Sequence, residues 1–325
     1  MIVTIRTPAR LHLGLLDMNG ELGRLYGSIG VAIEGPNVVL DADLQNTGEA
    51  SELVVDGLEQ ERVTTCAQHF LKRYSIPGKV HLNLRSSIPA HVGLGSGTQL
   101  ALAVGMALTQ LSGLQLSVTE LSLMMKRGIH SGIGIAIFQQ GGFVVDGGHP
   151  IVNGHPAVPP VIFRHAMPED WLFVVAIPKV HLGLSGHDEL LAFQTLPPAP
   201  VPLVEKICRL LVMQLLPALI EKDIVEFGQA LTQIQQLVGD SFAAVQGGQY
   251  ASTLSGQIIA YMLERGAQGA GQSSWGPTAF ALVQGERQAQ LLENETREFL
   301  ESHGGGEVFH IYPDNFGARL EIKDN

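Results

Sequence analysis

The sequence predicts an α+β fold in two domains, and three observations carry that prediction. Short alternating apolar stretches are interleaved with longer helical patterns along the 325 residues. A proline- and glycine-rich stretch, "NGHPAVPPVIFRH", reads as a connector and ends at residue 165. A glycine-rich loop stands between patterned segments once on each side of it, at 93–98 and at 266–278. The expected domains are therefore 1–165 and 166–325.

In the first domain, 1–6 and the stretch around 31–40 read as strands. Residues 59–74 read as a helix that Pro77 and Gly78 end. "KVHLNLR" alternates Val80, Leu82 and Leu84 against polar residues, which suits a half-buried strand leading into the first glycine loop. The helix expected over 98–111 is apolar almost all round, hence central, and Gly113 is placed to end it. Ser117 and Glu120 have capping-box spacing and open a helix that stops near Lys126-Arg127-Gly128. "HSGIGIAIFQQGGFVVDGG" follows, a short helix and then a strand at 142–146. In the second domain Trp171–Pro178 is a strongly apolar strand. Helical patterns come at 201–216, 221–238 and 251–265, and strands at 278–283 and 307–313.

Composition narrows the function. With 45% apolar and 16% charged residues the chain has the make-up of a compact globular protein. No long uninterrupted apolar run predicts a membrane span, and the N-terminus reads as a strand and not as a signal peptide. Two cysteines, Cys66 and Cys208, make no disulfide framework, so a cytoplasmic enzyme is the expectation. A net charge of −11 argues against nucleic acid or an anionic membrane as partner. A small anionic substrate stays possible, because it needs only a local cluster of donors.

The first loop, Gly93-Leu94-Gly95-Ser96-Gly97-Thr98, runs from a strand into a helix, the setting in which backbone N–H groups hold a phosphate. The bland reading is a tight turn using glycine for positive φ. Ser96, Thr98 and Gln99 add side-chain donors at the same spot. The second loop holds Gln272, Ser273, Ser274 and Trp275, rich for a plain turn, and the pair suggests a ligand clasped between domains. Near the N-terminus Arg6, Arg10, His12, Asp17 and Arg24 crowd a glycine-punctuated stretch. Single arginines are usually solvated, but this density reads as a site wall. Asp17 is a candidate to hold Mg²⁺ or orient a cationic group, and Arg24 to clamp a carboxylate or phosphate. The histidines, including His149, His155, His181 and His187, show no zinc spacing, and Ser185 lacks the elbow of a hydrolase nucleophile.

Taken in order, "IPAHVGLGSGTQLALA" and "GAQGAGQSSWGPTAFAL" resemble the second and third motifs of the GHMP superfamily of small-molecule kinases. That resemblance implies a two-domain fold with a ferredoxin-like second domain. Two departures stand out: Ser96 is followed by Gly97 and not by a second serine, and Ser131-Gly132-Ile133-Gly134 stands where many of those kinases carry a catalytic aspartate. A glycine cannot serve as a base. One branch fits better. "PARLHLGLLDMNGELGRLYGSIGVAI", "SGIGIAIFQQGGFVVDGG", "EDWLFVVAIP" and "GLSG", with both loops, resemble the β-ribofuranosylaminobenzene 5′-phosphate synthases from about residue 6 to 285. His130 departs from the arginine expected in many members.

This resemblance implies condensation of 4-aminobenzoate with phosphoribosyl pyrophosphate, releasing CO2 and pyrophosphate, as a step of tetrahydromethanopterin biosynthesis. It also implies a homodimer. On that chemistry the first loop holds the diphosphate with Mg²⁺, and Ser131 joins the substrate-binding residues. Arg24 is the first candidate to orient the carboxylate and Arg10 or His12 the second. Asp17 is the candidate for Mg²⁺ or for the developing cationic sugar. Ser273, Ser274 and Trp275 are candidates to frame the ring or the 5′-phosphate, and Gln272 is counted with the substrate-binding residues. The alternatives are an ATP-dependent kinase of the superfamily, against which Gly134 counts, and a ligand sensor without turnover.

Overall fold

The computed structural model describes residues 2–45, 52–151, 158–180 and 186–323. His155, His181 and Ser185 lie outside them, as does the His187 side chain.

The chain opens with a long antiparallel hairpin, β1 (Ile2–Asp17) on β2 (Arg24–Gln45), where the sequence predicted only two short strands. Glycines hid this strand length, because irregularities between Thr7 and Ala9 and between His12 and Gly14 absorb the breaks in alternation. β3 (Glu52–Gly57) follows, then α1 (Gln60–Leu71) and β4 (Lys79–Ser86), which pairs with both β2 and β3. The first glycine loop leads into α2 (Ser96–Ser112), and Gly113 in the left-handed conformation ends it as expected. α2 is buried along most of its length and packs on β1 and β2, which is why its sequence shows no polar face. α3 (Val118–Met124) starts on the full Ser117–Glu120 capping box. α4 (Ile133–Gln140) and β5 (Phe143–Asp146) complete the predicted helix and strand. β6 (His149–Pro150) and β7 (Val161–His165) extend the sheet, so the end of the expected connector is a strand.

β8 (Trp171–Pro178) starts a second sheet and is buried at every position. Five helical segments and a π turn then cross over it. They are α5 (Gly186–Thr195), α6 (Val201–Leu210), the π turn Leu211–Leu215, α7 (Leu216–Glu221), α8 (Ile224–Gln246) and α9 (Thr253–Glu264). β9 (Gly269–Gln272) lies inside the second glycine-rich stretch, and β10 (Ala279–Gln284), α10 (Glu286–Glu301) and β11 (Gly306–Ile311) follow it. The second sheet has the order β11-β8-β10-β9, antiparallel throughout. With strands numbered along the chain this is 4-1-3-2, the ferredoxin-like split arrangement. β12 (Arg319–Lys323) returns to the first sheet beside β1. α10 escaped the sequence reading because its inner face includes Glu293 and Thr296, which break the apolar stripe. Among the described residues no helix is long and apolar enough to cross a membrane.

Candidate active site

Arg10 and His12 stand two residues apart on β1, so they share one face of the strand, while Leu11 and Leu13 are fully buried in the core. That face meets both glycine loops. The Arg10 backbone N–H donates to Leu94 O (3.1 Å) and its Nη1 to Gly93 O (2.5 Å). The His12 N–H donates to Ser273 Oγ (3.0 Å), and Ser274 N–H returns to His12 O (3.1 Å). The loops also bond to each other directly. Ser273 Oγ donates to Gly93 O (2.6 Å) and Thr278 Oγ1 to Val92 O (2.6 Å). Gly93 is glycine for this contact: a Cβ there would lie 2.3 Å from Ser273 O, and its φ is +89°. A long hairpin in the first sheet thus staples the two loops into one floor.

Beside that floor is a cavity of about 340 Å³ with two chemically different ends. One end is cationic. No side chain caps α2: the Thr98 and Gln99 N–H groups turn to Gly95 O (3.2 Å each), and those of Ser96 and Gly97 have no partner among the described residues. Arg62 Nη2 donates to Ser96 Oγ (3.4 Å), and the Arg127 guanidinium lies over Gly97. Arg127 Nε is buried without a partner among the described residues, and Lys126 and Arg127 both line the cavity. Burial lowers Arg127 from its ordinary value, and the nearby Cys66 opposes that shift. The other end is aromatic. His130 stacks on Phe193 (centroids 4.0 Å), and Trp275 meets Phe193 (5.4 Å) and Phe242 (4.8 Å) edge to face. Burial, and then His149, hold His130 at about 4, so it is neutral near pH 7 and stacks as an uncharged ring. Between the ends Glu189 Oε1 accepts from Trp275 Nε1 (3.1 Å). Burial raises the Glu189 carboxyl, Arg10 opposes that, and burial in turn brings Arg10 down to about 10, still charged.

The predicted residues divide. Arg10, His12, Thr98, Ser131, Gln272, Ser274 and Trp275 line the cavity. Gly93, Leu94, Gly95, Ser96 and Gly97 form the turn that opens α2 at its cationic end. Ser273 is fully buried with its hydroxyl spent between His12 and Gly93, so it is a staple and not a cavity wall. Gln99 is likewise buried, bonded to Thr7 (2.7 Å) and to Gly134 O (2.7 Å). The expected catalytic pair does not line the cavity. Arg24 donates to Gly147 O (2.7 Å) and Gly148 O (2.6 Å) and so pins the turn between β5 and β6. Asp17 Oδ1 accepts from the N–H groups of Asn19 (2.7 Å) and Gly20 (2.9 Å), closing the β1–β2 turn. Both side chains close turns beside the aromatic part of the cavity, since Asp17 pairs in register with Tyr26, whose ring meets His130 (5.2 Å) and Phe193 (5.6 Å) edge to face. No group of three or more His, Cys, Asp and Glu side chains suited to a metal occurs among the described residues.

Sequence reasoning missed Arg62, Lys126, Arg127, Glu189, Phe193 and Phe242, which come from four different helices or their ends and carry no local motif. It also left Asp146 as an ordinary strand residue. Asp146 is fully buried and accepts from Ser28 Oγ (2.5 Å), Gly132 N–H (2.9 Å) and Gly148 N–H (2.9 Å). The glycines around it, in "VVDGG", were the available signal.

The chain matches the GHMP kinases N terminal domain over residues 61–142 and the GHMP kinases C terminal domain over 215–302. It is 37% identical to the beta-ribofuranosylphenol 5′-phosphate synthase of Methanothermobacter thermautotrophicus, over 86% of this chain and 88% of that one. It is also 37% identical to the protein of the same name from Archaeoglobus fulgidus, over 93% and 94% of the two chains. The homoserine kinase of Cytophaga hutchinsonii shares the fold, with a TM-score of 0.69 at 16% identity over 98% and 97% of the chains.

Proposed function

This chain belongs to the beta-ribofuranosylphenol 5′-phosphate synthase family within the GHMP superfamily, and we propose that its cavity transfers ribose 5-phosphate from phosphoribosyl pyrophosphate to a 4-substituted benzoate with loss of CO2. The observation that carries this reading is the pairing of a cationic end with an aromatic end in one cavity.

On this reading the bond from sugar C1 to the diphosphate oxygen breaks and the diphosphate leaves with the electron pair. The ring carbon that bears the carboxylate, pushed by its para substituent, forms the new bond to C1. The ring–carboxylate bond then breaks, its electrons restore aromaticity and CO2 departs. No net proton is gained or lost. The free N–H groups of α2, with Arg62, Lys126 and Arg127, hold the leaving diphosphate. Any Mg²⁺ arrives as the counter-ion of that diphosphate, hence with the substrate. Phe193, Phe242 and Trp275 hold the ring, and Arg10, between the two ends, orients its carboxylate. The relatives' name denotes a phenol product, which favours 4-hydroxybenzoate over the 4-aminobenzoate expected from the sequence. On either acceptor the step belongs to tetrahydromethanopterin biosynthesis.

A kinase reading fares worse. Gly134 supplies no base, and a side chain there would crowd Thr98, which lies 3.0 Å from the position of its Cβ. The test uses 4-hydroxybenzoate and 4-aminobenzoate labelled in the carboxyl carbon. Release of labelled CO2 that requires phosphoribosyl pyrophosphate is expected, faster with the hydroxy acceptor. No release from either acceptor, together with acceptor-dependent ATP hydrolysis, would replace this reading by the kinase.

A further inference from the structure

A line of short hydrogen bonds runs from the cavity into the first sheet. His12 Nε2 lies 3.2 Å from Ser131 Oγ, Ser131 Oγ lies 2.7 Å from Ser28 Oγ, and Ser28 Oγ lies 2.5 Å from Asp146 Oδ2. Ser28 and Asp146 are fully buried. The direction of this line follows from counting protons. Burial raises the Asp146 carboxyl, whereas Ser28 and the N–H groups of Gly148 and Gly132 oppose that shift by donating to the ionised form, and an ionised carboxylate only accepts. Ser28 has one hydroxyl proton, and the carboxylate takes it. The contact between the serines must then carry the proton of Ser131. With that proton committed, Ser131 can only accept from His12, so the imidazole carries its proton on Nε2. Nδ1 is left with a bare lone pair. It has no partner among the described residues and is not sealed from solvent, so it opens on the cavity that His12 lines.

We propose that Asp146, Ser28 and Ser131 are positioning residues that lock His12 in its Nε2–H tautomer, so that Nδ1 accepts a hydrogen bond from a hydroxyl of the bound substrate. Burial, reinforced by Arg10, holds His12 at about 3, so the ring stays neutral across the physiological range. The choice of a hydroxyl follows from the rest of the wall and from the substrate. Diphosphate, 5′-phosphate and carboxylate oxygens accept hydrogen bonds and suit Arg10, Lys126 and Arg127. Only the ring's para hydroxyl and the ribose hydroxyls donate. The substrate half of this inference rests on the reaction proposed above, whereas the tautomer half concerns the resting protein.

The two halves have separate tests. With ¹⁵N-labelled histidine and no substrate, NMR should show His12, assigned by loss of its signals in His12→Phe, with a protonated Nε2 and a bare Nδ1. Ser28→Ala and Asp146→Asn should each give a mixture of tautomers, and Ser28→Thr should restore the single form. Should Asp146→Asn fail to fold, Ser28→Ala and Ser131→Ala decide the matter. A protonated Nδ1 in the intact protein, or a pure Nε2–H form in the folded Ser28→Ala variant, would overturn the lock. For the substrate, His12→Phe should lower kcat/KM with 4-hydroxybenzoate by about ten- to a hundredfold, as expected for one lost hydrogen bond in a closed site. If the partner is the ring hydroxyl, that defect shrinks with 4-methoxybenzoate; if it is a ribose hydroxyl, the defect is the same with both. No defect with either acceptor would overturn the contact. Absence of CO2 release in the intact protein would instead refute the reaction and leave the tautomer result standing.

Discussion

The two glycine-rich loops look alike in composition and serve opposite purposes. The loop at 93–97 leaves the first N–H groups of α2 free and gathers Arg62 and Arg127 around them. The stretch at 269–278 spends its polar groups inward: Ser273 on His12 and Gly93, Thr278 on Val92, and the Gln272 side chain on Ala251 N–H and Ser274 O. Of its side chains, Gln272, Ser274 and Trp275 still line the cavity. On the proposed function one loop is a receptor and the other is its brace. Glycine richness marks a place where backbones come close, and what approaches, an anion or another loop, depends on which hydrogen bonds are already made.

The contrast is tested most severely where the loops touch. Gly93→Ala takes a left-handed φ, which should cost about 1 to 2 kcal/mol, and its methyl group against Ser273 O adds to that. A large fall in melting temperature and loss of activity are expected together. A stable, active Gly93→Ala protein would show that the loops are not stapled. Next, Arg127→Ala should raise KM for phosphoribosyl pyrophosphate by about ten- to a hundredfold with little change in stability, because a charge-assisted contact to phosphate is lost. An effect confined to KM for the benzoate would assign Arg127 to the wrong end.

Ser273→Ala should do the reverse of Arg127→Ala. It leaves His12 N–H without its partner and removes one of the two donors to Gly93 O, which keeps Arg10 Nη1, at about 1 to 3 kcal/mol of stability, while KM for phosphoribosyl pyrophosphate stays near its original value. A raised KM with unchanged melting would turn the brace into a receptor.

The smallest effect belongs to a control away from both loops. Hydrogen bonds donated to Asp56 and Asp43 hold the His81 imidazolium above its usual range, despite some loss to burial. Its contribution to stability is thus fully present below the unfolded-state pKa near 6.5 and is lost as pH rises through the higher folded-state value. A His81→Asn variant should lose that pH dependence, and kinetics at either end of the cavity should be untouched.

Much of the fold was legible because it follows from local chemistry. The apolar α2 and its Gly113 stop, the Ser117–Glu120 box and the fully apolar β8 are written in adjacent residues. The strand at β7 and the helix at α10 were not legible, the first for its proline-rich surroundings and the second for a partly polar inner face. The site was half legible. Arg10, His12, Thr98, Ser131 and Trp275 stood in recognisable motifs, and they line one cavity.

Arg24 and Asp17 also stood in such a motif, yet their side chains close turns. Sequence alone determined most helices and several strands, where the glycine loops sit and what family the motifs resemble. These are properties of neighbours along the chain, set by periodicity, capping and backbone freedom. Only the tertiary structure decided which charges face the ligand. Arg62, Lys126, Arg127 and Glu189 enter the site from helices far apart in sequence, and Asp146 reaches His12 through two serines. Burial and hydrogen bonding choose a role for each side chain, and both are fixed by packing between segments that the linear order does not bring together.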